Sequence, residues 1–151
     1  MRRTTSIFGL AVTLCLAFKP MSAQEIQNLK VSELATHPLQ ANGLSITITG
    51  LNGHQLIASV PRWAGRARVR MSIENKGTSF QAFSPFDLCF VGSDGVQVLP
   101  IYEINKADDS TPLAFRIAPA ARLSTEYVMT GRLNFPAKIY LGDRLVAKVA
   151  E

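Results

Sequence analysis

Arg66-Ala67-Arg68-Val69-Arg70-Met71-Ser72-Ile73-Glu74-Asn75 is the stretch that decides the fold. Ala67, Val69, Met71 and Ile73 share one parity, and Arg66, Arg68, Arg70, Ser72 and Glu74 share the other. Successive side chains of a strand point to opposite faces, so this pattern is a strand with one face in a core and the other in water. Such half-wet strands belong to antiparallel sheets rather than to the doubly covered strands of a parallel α/β fold.

The same period extends to either side. From Gly43, the residues Leu44, Ile46 and Ile48 alternate with Ser45, Thr47 and Thr49; Gly50-Leu51-Asn52-Gly53 reads as the turn that ends this strand, and His54 to Val60 as its hairpin partner. Asn75-Lys76-Gly77-Thr78 is turn chemistry, and Phe80 to Phe83 resumes an extended run. Phe86, Leu88 and Phe90 alternate with Asp87, Cys89 and Val91 before a turn at Ser93-Asp94-Gly95, and Val96 to Ile101 gives another short strand. Asn105 to Thr111 is a polar loop, followed by strands over Leu113 to Ile117, Leu123 to Thr130, Ala137 to Leu141 and Leu145 to Val149. No segment holds a helical period. About eight short strands with turns roughly every ten residues predict an all-β antiparallel sandwich, with Leu44, Ile46, Ile48, Val69, Met71, Ile73, Leu88 and Phe90 inward.

The chain starts with an address. Arg2 and Arg3 precede an apolar run from Ile7 to Phe18, and small residues at Ser22 and Ala23 precede the polar Gln24-Glu25. This reads as a secretory signal with cleavage expected after Ala23, since the apolar run is far shorter than the ~20 residues that span a bilayer. Cys15 lies inside that run behind Leu14, which argues against lipidation, and Thr4-Thr5-Ser6 after the arginine pair argues against twin-arginine export. The expected organisation is a signal peptide over 1–23, an arm or first strand over 24–42 and the sandwich over 43–151. The expected location is the periplasm or the outside of the cell, with no transmembrane span once the signal is removed.

Composition bounds the partners. The 151 residues carry 16 Lys and Arg against 11 Asp and Glu, a formal charge of +5, with 47% hydrophobic residues. The pI near 9.6 hints at nucleic acid. Removing Arg2, Arg3 and Lys19 with the signal leaves 13 basic against 11 acidic residues, and this modest charge together with the absence of a recognisable module disfavours a nucleic-acid partner. Cys89 becomes the only thiol of the mature chain, so no intrachain disulfide forms and stability must come from the core.

Three stretches carry a resemblance: Val69-Arg70-Met71-Ser72-Ile73-Glu74-Asn75-Lys76-Gly77, then Phe86-Asp87-Leu88-Cys89-Phe90, then Ser93-Asp94-Gly95. They resemble bacterial secreted immunoglobulin-like domains of unknown function, a group similar to the small secreted mycobacterial antigens. The later Ile117-Ala118-Pro119 is similar to that group's loop before the final strands, with Pro119-Ala120 in place of the usual Pro-Gly. The likeness covers about the central half of the mature chain. It implies an immunoglobulin-like sandwich and lends no catalytic residues.

Catalytic and metal-binding patterns find little support in the sequence. His37 and His54 stand in different elements with no zinc spacing, and Met71 and Met129 do not make the Met and His cluster of a copper carrier; Met71 sits on the core parity. Cys89 stands between Leu88 and Phe90 without a base to activate it. Asp94, Asp108 and Asp109 lack a calcium-loop spacing, and no Ser sits in Gly-x-Ser-x-Gly. No enzyme activity and no cofactor are expected.

One surface feature remains. Arg66, Arg68 and Arg70 alternate on one strand, with Arg62 and Trp63 just upstream, and guanidinium forks suit carboxylate and phosphate groups. These five residues are the candidate site for an envelope or extracellular protein or an anionic polymer. The expected function is therefore a non-catalytic binding module, and the alternative is a secreted protease inhibitor presenting Val60-Pro61-Arg62-Trp63 to an enzyme cleft. The export reading is checked by intact mass: protein recovered outside the cytoplasm should begin at Gln24, and a full-length cytoplasmic chain as the sole species contradicts it.

Overall fold

Strands form wherever β-branched and aromatic residues alternate with polar ones, and glycine or proline punctuates them. The computed structural model describes residues 25–55, 61–104 and 114–151. Along these run β1 (Gln27–Lys30), β2 (Leu39–Ala41), β3 (Leu44–Asn52), β4 (Arg68–Asn75), β5 (Gln81–Phe83), β6 (Leu88–Val91), β7 (Gln97–Val98), β8 (Pro100–Glu103), β9 (Phe115–Ile117), β10 (Arg122–Met129), β11 (Ala137–Leu141) and β12 (Arg144–Ala150). Single 3-10 turns occupy Val31–Glu33, Pro61–Trp63 and Pro85–Asp87. Among the described residues there is no α-helix, and no helix is long and apolar enough to cross a membrane. The chain is all-β. The expected signal segment, the end of the expected hairpin partner at Leu56 to Val60, the expected polar loop from Asn105 and Leu113 lie outside the described residues.

One five-stranded sheet runs β1-β12-β11-β6-β7, a second runs β2-β3-β4-β10-β8, and β5 pairs with β9 in a two-stranded sheet. The pairings are antiparallel except that β1 lies parallel to β12, Gln27 opposite Ala147, which corrects the expectation of a wholly antiparallel fold. Residues 24–42, expected as an arm or first strand, supply β1 to one sheet and β2 to the other.

All eight residues assigned inward are buried: Leu44, Ile46, Ile48, Val69, Met71, Ile73, Leu88 and Phe90 belong to one hydrophobic cluster with Leu34, Leu39, Tyr127, Met129, Ile139, Val146 and Val149. Both five-stranded sheets feed this cluster. Phe86 departs from its expected alternation because Pro85–Asp87 coils into a 3-10 turn, and its ring is left exposed.

The expected hairpin is replaced by a longer strand. β3 continues through Gly50 to Asn52, and its partner is β4 rather than the segment from His54. A bulge between Ile48 and Gly50 leaves Thr49 without a register partner and inverts the parity, so Leu51 faces Val69 and packs on the core while Gly50 faces Arg70. β4 likewise begins at Arg68, so Arg66 is not part of the strand that its alternation suggested.

Asn75 takes the core parity of β4 and is fully buried. Its side-chain Nδ2 donates to the carbonyls of Ser79 (2.8 Å) and Ile117 (2.9 Å), and its Oδ1 accepts from the Gly77 amide (2.9 Å). Its backbone N–H donates to the Ala121 carbonyl, and its own carbonyl accepts from Ala120. Two carbonyls at one end and an N–H at the other fix the orientation of the amide. Ala120 sits in the left-handed region at φ +59°.

Asn75→Ala should cost about 2–3 kcal/mol, because the buried Ile117 carbonyl loses its donor. Asn75→Asp should be no milder despite its shape, since it turns an acceptor toward two carbonyls. Ala120→Gly should be neutral or stabilising by up to ~1 kcal/mol as the left-handed strain is relieved. Chemical denaturation of the three variants checks this, and a well-tolerated Asn75→Asp contradicts the assigned role.

Candidate functional site

The wet face of β4 carries Arg68, Arg70, Ser72 and Glu74, and β10 sets Val128, Glu126, Ser124 and Arg122 directly opposite them. Register thus places Glu126 opposite Arg70 and one row from Arg68. Its Oε1 accepts from Arg68 Nε at 2.6 Å and lies 3.2 Å from Arg70 Nη2. Burial alone would raise the carboxyl of Glu126, whose side chain is only 14% exposed, but the hydrogen bond and charge of Arg68, reinforced by Arg70, hold it below the ordinary glutamate range. The Arg70 side chain stays 60% exposed.

Across from Arg70 the β3 bulge puts Gly50, which has no side chain to cover the guanidinium. A hollow of about 280 Å³ results, lined by Gly50, Leu51, Asn52, Arg68, Arg70 and Glu126. At the other end of the same face, Glu74 Oε2 lies 3.0 Å from Lys76 Nζ and 3.5 Å from Arg122 Nη2. The Lys76 hydrogen bond, ahead of burial, is the largest influence on Glu74, and with both cations it lowers that carboxyl.

Of the five residues expected at the site, the structure brings Arg68 and Arg70 together. Arg66, Arg62 and Trp63 belong to the preceding turn, where Arg66 N–H donates to the Trp63 carbonyl and Ala64 N–H to that of Pro61. Pro61–Trp63 is coiled as a 3-10 turn rather than extended. Gln55 ties this turn to the sheet region through paired backbone bonds, Gln55 N–H to Arg66 O and Gly65 N–H to Gln55 O. Sequence reasoning missed Glu126 and Gly50. Glu126 is legible as the lone acid on the polar parity of the strand from Leu123, but its place opposite Arg70 depends on strand pairing.

The other singled-out side chains have local roles. Met71 and Met129 are fully buried in the core, as expected for Met71. Cys89 is half-buried on β6 and burial pushes its thiol up, the opposite direction from an activated thiolate. His37 Nδ1 lies 3.0 Å from the Glu33 carbonyl, and His54 donates its backbone N–H to Asn52 Oδ1. Asp94 closes its turn, accepting from Val96 N–H (3.1 Å) and from Asn134 Nδ2 (2.6 Å), which lowers its carboxyl. Asp108 and Asp109 lie outside the described residues. Among the described residues no three His, Cys, Asp or Glu side chains gather as a metal site would require.

No family model and no curated protein matches the chain. Among solved structures it is similar to the yjhA protein from Bacillus subtilis, with a TM-score of 0.49 and 11% identity over 82% of this chain and 99% of that one.

The depressed carboxyl of Glu126 gives a pH dependence whose sign follows from linkage. A lowered folded-state pKa contributes stability above the unfolded value, about 4.3 for glutamate, and that contribution is lost as pH falls through the folded value. Parent and Glu126→Gln should therefore differ in denaturation midpoint near neutrality and converge below pH ~4. A difference that persists undiminished in acid contradicts the paired carboxylate.

Proposed function

We propose that this protein is an exported, non-catalytic binding module, an immunoglobulin-like β-sandwich of the periplasm or extracellular space, that recognises an anionic partner through Arg68 and Arg70. The observation that carries the reading is two guanidinium groups sharing one carboxylate, with Arg70 left open beside Gly50. An incoming carboxylate or phosphate can engage the free edge of Arg70 while Glu126 keeps Arg68 in place. The sandwich reading is supported by two five-stranded sheets contributing to one buried cluster, and export by the basic, apolar and small-residue start of the sequence. Protease inhibition draws less support, because a 3-10 turn at Pro61–Trp63 lacks the extended backbone that lies along an enzyme cleft.

Binding to poly-glutamate, followed by calorimetry across a salt series, tests the reading. The parent should bind with affinity that falls as salt rises, and Arg68→Ser combined with Arg70→Ser should weaken it on the order of tenfold at low salt, since each charge-assisted contact contributes about 1 kcal/mol or more. The denaturation midpoint of the double variant verifies that the fold is kept. Equal binding by parent and variant, or indifference to salt, defeats the proposal.

A further inference from the structure

The wet face of β4 and β10 repeats one device. Arg68 and Arg70 share Glu126, and Lys76 and Arg122 share Glu74, so each end holds two cations on one carboxylate. Each group is left with one net positive charge, and the side chains of Arg70, Lys76 and Arg122 are all about three-fifths exposed or more, at 60%, 59% and 67%. Glu74 lies four residue steps along the strand from Arg70, placing the two groups roughly 13 Å apart.

Between them lies a neutral hydroxyl belt. Ser72 is the register partner of Ser124 on one side and of Thr47 on the other, and all three carry the outward parity of their strands. Hydroxyls are both donors and acceptors with a rotatable proton, so they match sugar hydroxyls, whereas the two cationic ends match spaced negative charges. The separation of the two cationic groups along β4 suits a chain lying along the strand more than a compact headgroup at one end.

Resting on the anion-binding role proposed for Arg68 and Arg70, we infer that the ligand is a linear anionic polysaccharide. It lies along β4 from Arg68 to Lys76, engages both cationic groups, and places its neutral sugar units over Thr47, Ser72 and Ser124. Two weak contacts joined through one chain bind cooperatively because the second is intramolecular.

The test uses oligogalacturonates of graded length, from dimer to dodecamer, and the full protein. Affinity should rise with length until the oligomer reaches both groups, a gain on the order of tenfold, and then level off. Lys76→Gln combined with Arg122→Gln should abolish the gain, so that long oligomers bind that variant no more tightly than short ones do. Should that variant bind long oligomers as tightly as the parent, while the Arg68→Ser, Arg70→Ser variant does not, the extended track is overturned and the role of Arg68 and Arg70 stands. If neither variant changes binding, both fall. Tighter binding to vesicles of phosphatidylglycerol and phosphatidylcholine in equal parts than to the dodecamer, or to poly-glutamate of matched length, overturns the polysaccharide assignment.

Discussion

The structure turns on the buried amide of Asn75. Strand β4 could in principle run on past residue 75, but a fully buried amide makes an extended continuation costly, because its three polar contacts all lie in the following turn and in the end of β9. Satisfying them forces the chain to bend at Lys76-Gly77 and brings Ile117 alongside. The backbone of Asn75 then clamps Ala120 and Ala121, so the entry to β10 is set in register with the end of β4 by the same residue. A Cβ at Gly77 would approach Asn75 Oδ1 to 3.2 Å, and the turn is correspondingly tight. The register of β10 on β4 decides which charges meet, so the wet face inherits its geometry from this buried hub.

Bulges set the rest. In an uninterrupted β3, Thr49 would stand opposite Arg70 and Gly50 would point toward the core. The extra residue exchanges these roles, placing Leu51 on the core and a bare backbone beside the guanidinium. A second register shift, where Val128 pairs with Tyr102 but Met129 with Pro100, leaves Ile101 of β8 without a register partner and sets the buried Pro100 opposite Met129. At the β3 bulge the core parity is preserved by displacing one residue, which is the lower-cost solution when a strict alternation would turn Leu51 to water.

This explains what could and could not be read from the chain. The alternations at Leu44 to Ile48 and Arg66 to Glu74 carried the core faces directly, because period-two burial leaves its mark on residue types. The strand beyond Gly50 was invisible because the bulge breaks that period and Asn-Gly imitates a hairpin turn. β1 was obscured by its brevity, since only Leu29 of its four residues is buried. Asn75 reads as turn chemistry in sequence, and nothing in residue type distinguishes a wet turn asparagine from one that faces inward and joins three segments. Arg68 and Arg70 were legible as a row. Glu126, lying 58 positions from Arg68 in the chain, became their partner only through pairing of distant strands.

The charge arrangement also settles whether the arginine row needs a ligand in order to exist. Two guanidinium groups about 7 Å apart in water repel by roughly 0.6 kcal/mol, a small cost that a single carboxylate in contact with both offsets. The face is therefore stable unliganded, and its residual charge is available for binding rather than consumed in folding. Replacing the two shared carboxylates by four separate ones would neutralise the face completely, whereas removing them would leave four cations repelling on one face. Sharing one carboxylate between two cations holds the side chains in ordered positions and still leaves attraction for an anion. Because the uncompensated charge is exposed, its field decays within about 8 Å at physiological salt, so it reaches only an anion that lies against the sheet and would contribute little to guiding one there.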